Sequence, residues 1–152
     1  MGDEPRIEVD RALLDDMRVA LLAEMGARAI YPVLARTLAD RELAVLLSEY
    51  GREEELQVER LRALLLEFGA QSPARSRRRE ALAWLLAQST RCGGRALTLR
   101  LCSESERQLA RWYMGHASYL ARIGLLRQAR ACEELALLKQ RHAQGLAAWV
   151  RE

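Results

Sequence analysis

The sequence predicts an all-α protein, an antiparallel four-helix bundle made of two helical hairpins with an extra short helix in the crossover. Three observations lead there. Of 152 residues, 28 are Leu and 24 are Ala, whereas Val, Ile and Thr together number 12. Leu and Ala lose little on entering a helix, and the β-branched residues that favour strands are scarce. Apolar residues also recur at alternating spacings of three and four along four long segments, the period of helices in a left-handed bundle. Finally, Gly69 with Pro73, Gly93 with Gly94, and Gly124 stand between segments as helix breakers.

A chain of this length forms a single domain, 1–152, and buries roughly two thirds of its unfolded surface, so it folds without a metal or disulfide. Residues 1–8, Met-Gly-Asp-Glu-Pro-Arg-Ile-Glu, read as a flexible N-terminus without a secretory signal.

The first helix is expected from about Val9 to Leu38, with Leu14, Met17, Leu21, Glu24, Tyr31 and Leu38 on one stripe and Arg28 interrupting it. Pro32 lies inside and should kink or break the helix. Asp40 is placed to cap a second helix from about Arg41 to Phe68, whose stripe is Leu43, Leu47, Tyr50, Glu54, Val58, Leu61, Leu65 and Phe68. It stops at Gly69 with a proline beyond. A short helix, about Arg77 to Ser89, precedes Cys92-Gly93-Gly94. The next, about Arg95 to Ile123, carries Leu99, Cys102, Glu106, Leu109, Tyr113, His116, Leu120 and Ile123. After Gly124 the last, from Leu125 to about Val150, carries Cys132, Leu135, Lys139, His142, Leu146 and Trp149.

The remaining totals mostly exclude. The net charge is +3, and the basic side is 23 Arg with one lysine, Lys139; this balance gives no support to a nucleic-acid partner. The run Arg75-Ser-Arg-Arg-Arg79 reads as the solvated start of the short helix rather than a phosphate patch. The longest uncharged apolar stretch, Ala81 to Thr90, is too short to span a bilayer. Cys92, Cys102 and Cys132 are an odd number in no metal-finger spacing; they read as free thiols of a reduced, cytoplasmic protein. The stretch around Trp84 is apolar almost all round, which points to a homodimer contact through the short helix.

Each long stripe has ionisable residues near its middle. Glu24 and Glu54 lie about fifteen residues on either side of a turn near Ala39. Glu106 lies 18 residues before Gly124, and Lys139 and His142 lie 15 and 18 after it. Four helices therefore deliver Glu24, Glu54, Glu106, Lys139 and His142 to one level, with Gln57 bordering it. The pattern is close to a carboxylate-bridged di-metal site, in which two helices give one Glu each and two give a Glu-x-x-His pair. Here one pair reads Glu54-Glu55-Leu56-Gln57 and the other Lys139-Gln140-Arg141-His142. Each has lost one ligand. His116 is off this level and reads as structural, and Tyr31, Tyr50 and Tyr113 read as core tyrosines whose hydroxyls reach carboxylates or water.

The run Glu49-Tyr-Gly-Arg-Glu-Glu-Glu-Leu-Gln-Val-Glu-Arg-Leu61, the Tyr31-Pro32 pair after Glu24, and Ser105-Glu106 followed by Tyr113 resemble the ferritin-like YciF family, bacterial stress-associated proteins of unknown function. The resemblance covers about residues 10–150 and implies a ferritin-like fold, possible di-metal binding and homodimers.

Charge arithmetic bears on the metal. Three carboxylates and one ammonium give −2 with His142 neutral, which balances one divalent ion and not two. Lys139 is expected to be the replacement cation, donating to Glu106 and Glu24. The expectation is a degenerate di-metal site, non-catalytic, with no cofactor or one divalent iron or manganese ion. An alternative is an iron- or manganese-dependent oxidase or metal-handling protein using Glu24, Glu54, Glu106 and His142. A second alternative is a helical adaptor whose polar layer is structural.

Overall fold

Four helices follow one another along the chain: α1 (Arg11–Thr37), α2 (Arg41–Glu67), α3 (Arg77–Arg122) and α4 (Leu126–Val150). The structure, a computed structural model, describes residues 9–38, 40–73 and 77–151, without the side chains of 77–92. The expected N-terminal arm 1–8, the turn residue Ala39, the Arg75–Arg79 run as a charge feature, Cys92 and the contact at Trp84 lie outside the described residues. No described helix is long and apolar enough to cross a membrane.

Local chemistry sets the helix ends. Asp10 caps α1 by accepting from the Ala12 amide, and Asp40 caps α2 by accepting from the amides of Glu42 and Leu43. At Gly69 and Gly124, φ values of 70° and 84° let the chain turn back so that the Ala70 and Leu125 amides reach the Leu65 and Leu120 carbonyls. Pro32 does not break α1, which runs unbroken to Thr37. The expected break at Cys92-Gly93-Gly94 is a kink within α3: Gly94 leaves helical geometry at φ 79° and ψ 163° and divides α3 into two helical stretches.

The helices pack in a ring in which α1 touches α2 and α3, and α4 touches α3 and α2. Tyr31 meets Glu106 and Glu24 meets Tyr113, so α1 and α3 are antiparallel. Glu53 meets Arg141, Arg60 meets Glu134 and Glu67 meets Arg127, so α2 and α4 are antiparallel as well. Arg28 meets Glu55 and Pro32 meets Gly51, so α1 and α2 are antiparallel too, and α2 and α3 therefore run in the same direction, joined by a crossover between residues 68 and 94.

All eight residues of the α2 stripe are buried. Elsewhere the stripes shift at their ends: Leu13 is buried where Leu14 was expected, Leu34 where Leu38 was, and Ile123 is exposed beside the α3–α4 turn. End residues have no neighbouring helix above them, so periodicity alone places them poorly. The core falls into two apolar clusters. One contains Met17, Leu21, Leu61, Leu65, Leu109 and Leu135; the other contains Tyr31, Leu34, Leu43, Leu47, Leu99 and Leu146. Each fully buried Leu contributes roughly 1.5–3 kcal/mol relative to an exposed one. Between the clusters lies a layer of buried polar residues.

Candidate functional site

That layer consists of Glu24, Glu54, Gln57, Glu106, Lys139 and His142, all buried. Every residue named from the sequence for this level is in it, because each sits on an apolar stripe about halfway along its helix. Lys139 is 0% exposed, and its ammonium stands at the centre. It donates to both oxygens of Glu54 at 2.7 Å and lies 2.5 Å from Glu24 Oε2 and 3.1 Å from Glu106 Oε2. The expected partners, Glu106 and Glu24, are present, but Glu54 takes the ammonium's best-aligned bonds.

The other oxygens are held from the sides. Tyr31 donates to Glu106 Oε1 at 2.5 Å and Tyr113 to Glu24 Oε1 at 2.6 Å. Burial, followed by the neighbouring carboxylates, pushes both phenols above their usual range, so they remain protonated donors. Tyr50 reaches no carboxylate among the described hydrogen bonds; it stacks on His142 with ring centroids 4.0 Å apart. Gln57 Nε2 lies 3.4 Å from Glu54 Oε1, and its Oε1 has no partner among the described residues.

His142 bridges the core and the surface. Its Nδ1 is 3.1 Å from Glu54 Oε1, and its Nε2 is 2.6 Å from Glu53 Oε2. Glu53 in turn pairs with Arg141 at 2.6 Å. Reasoning from the stripes missed Glu53, since the residue before a buried one ordinarily points away. The available signal was the adjacent pair Glu53-Glu54, two carboxylates able to address the two nitrogens of one imidazole.

Electrostatics divide the layer. Burial opposes the charge on Lys139, but Glu24, Glu106 and Glu54 outweigh it and raise its pKa. Burial likewise opposes the His142 charge, and the adjoining Glu106, Glu54 and Glu53 overcome it, bringing the imidazole to about 9. For Glu54, burial is outweighed by Lys139 and the bond from His142, and its carboxyl falls to about 2. Glu24 goes the other way: burial dominates, Lys139 only partly offsets it, and the pKa rises well above 4.5. Two carboxyls of one buried layer are thus driven in opposite directions.

The donor set can be compared with a metal's needs. Glu54, Glu106 and His142 place ligand atoms within 4.8 Å of one another, a spacing for one ion. Lys139 already occupies the point where Glu24, Glu54 and Glu106 converge, so a cation of the chain itself stands where a second metal ion would be needed. These residues do not fit a di-metal centre. Of the described cysteines, Cys102 and Cys132 are both buried, and burial raises each to about 12, so neither is held as a ready thiolate. His116, half-buried beside Trp112, lies away from the layer.

The chain matches no protein-family model, no curated protein and no solved structure.

Proposed function

We propose that the chain is a ferritin-like bundle related to the YciF-like proteins, in which an internal lysine has replaced a di-metal centre. On this reading it is a non-catalytic, stress-associated binding protein of the cytoplasm, not an oxidase. The observation that carries the reading is the ammonium of Lys139, which lies within 3.1 Å of Glu24, Glu54 and Glu106. Two hairpins joined by one long crossover are also the connectivity of ferritin-like bundles, and the helical stretch before Gly94 is the extra helix of that crossover. Elemental analysis of the purified protein tests this: no stoichiometric iron or manganese is expected, and two tightly held ions per chain would overturn it. A second reading, a single-ion metal-handling protein, is favoured by the mutual spacing of Glu54, Glu106 and His142; one ion per chain, with Lys139 displaced, would support it.

The same reading includes a homodimer, and the face between α2 and α4 suits one. Leu56 and Leu137 are 63% and 55% exposed there. Around them stand Glu53 and Arg60 on α2, and Arg141 and Glu134 on α4, with signs alternating around the four corners. A half-turn about an axis lying in this face, along or across the helices, sets each acid against a base of a second copy. Leu56→Arg combined with Leu137→Arg should then give monomers in sedimentation; an unchanged profile would reject this face.

A further inference from the structure

Pro32, in the last two turns of α1, and Gly51, near the middle of α2, work against their helices. Pro32 costs about 3 kcal/mol in a helix interior and Gly51 about 1 kcal/mol relative to Ala. They face one another: a Cβ on Gly51 would lie 3.4 Å from Cδ and Cγ of Pro32. Two local rules are broken at one place, and such places are where functional sites are expected. Their joint effect is a bare floor where the helices come close, and a groove of about 520 Å³ lies above it.

The walls of this groove are cationic. Arg28 and Arg36 flank Pro32 at steps of four along α1, and Arg52, Ser48 and Glu55 line the α2 side. Arg28 is held by Glu55 at 3.0 Å. Arg36 and Arg52 are exposed and have no ion-pair partner among the described residues. Three guanidiniums against one carboxylate leave a local charge of +2. The groove also presents acceptors. Ser48 already donates its proton to the Ala44 carbonyl at 2.7 Å, leaving its oxygen to accept. Pro32 has no N–H, so the Arg28 carbonyl lacks its donor four residues on.

We propose that this groove binds a small phosphorylated polyol, a sugar phosphate in chemical class. Arg36 and Arg52 take the dianionic phosphate, for which planar guanidiniums are suited. Ser48 Oγ and the Arg28 carbonyl accept from the hydroxyls, and Pro32, Ala35 and Gly51 provide the apolar floor. The volume matches small-molecule sites. This inference stands independently of the reading of the buried layer.

Calorimetric titration of the full chain with ribose 5-phosphate, inorganic phosphate and ribose tests it. Ribose 5-phosphate should bind more tightly than inorganic phosphate, and ribose should not bind. Arg36→Gln combined with Arg52→Gln should weaken ribose 5-phosphate by about tenfold or more without moving the thermal midpoint. Arg127→Gln with Arg130→Gln, on an arginine-bearing surface of α4, should leave binding unchanged. No saturable binding up to about 10 mM, an unaffected Arg36/Arg52 variant, or equal loss in both double variants would overturn the proposal.

Discussion

Lys139 grips Glu54 through both carboxylate oxygens at 2.7 Å, across 85 residues of chain and in full burial. Removing one partner of a buried ion pair costs about 3–5 kcal/mol, because the other charge stays behind. Lys139→Met should therefore lower the thermal midpoint by roughly 10 °C in a domain of this size, measured by circular dichroism. Adding Glu54→Gln to that variant should recover part of the loss. A midpoint unchanged in Lys139→Met would mean that the carboxylates are satisfied without the ammonium.

Stability should decline on the basic side of neutrality. The His142 pKa is raised from 6.5 to about 9, so its contribution is complete below 6.5 and disappears as pH rises through 9. Glu54, lowered from 4.5 to about 2, contributes above 4.5 and loses that contribution as pH falls through 2. Glu24, raised by burial, has the sign of His142 and favours the folded state at lower pH. Urea midpoints taken from pH 6 to 9.5 should fall in the wild type and flatten in His142→Gln; parallel curves would assign the slope elsewhere.

Metal affinity should be recoverable. Lys139→Glu with Gln57→His completes both Glu-x-x-His pairs and removes the competing ammonium. This double variant should retain iron or manganese through gel filtration, as measured by mass spectrometry, while the wild type does not. If neither protein retains metal, the remaining ligands are misplaced by more than two substitutions.

Glycines in these helices should divide by what surrounds them. A Cβ at Gly26 or Gly115 meets nothing within 4 Å, so Gly26→Ala and Gly115→Ala should each stabilise by about 0.5–1 kcal/mol. At Gly145 a new Cβ would meet the Tyr50 hydroxyl, and Tyr50 cannot swing aside without leaving its stack on His142. Gly145→Ala should therefore be destabilising by about 1 kcal/mol once the gain in helix propensity is deducted from the overpacking cost. Chemical denaturation of the three variants checks the order.

Much of this was legible in the sequence for physical reasons. Leu and Ala decide helix over strand, Asp40, Gly69 and Gly124 mark ends, and a charged residue on an apolar stripe announces a buried layer. What escaped is what spacing does not encode. The Glu54 side chain, not Glu106 or Glu24, takes two hydrogen bonds from Lys139, although Glu24 lies nearer, because angle as well as reach decides among neighbouring partners. Glu53 joins the layer from an off-stripe position because an imidazole has two nitrogens to satisfy. Pro32 stays inside α1, where packing around Tyr31 and Leu34 overrides the lost backbone bond.

The crossover at residues 68–94 has a further consequence. It separates the chain into two hairpins that each carry an unbalanced half of the central layer. The first brings Glu24 and Glu54, both acidic; the second brings Glu106 against Lys139 and a protonated His142, a net positive set. Neither half is electrically complete, and each is the other's counterion, so long-range attraction favours their encounter before apolar surfaces touch. Fragments 1–73 and 74–152, made separately, should therefore reassociate into a helical complex, and should do so faster at low salt than at high salt.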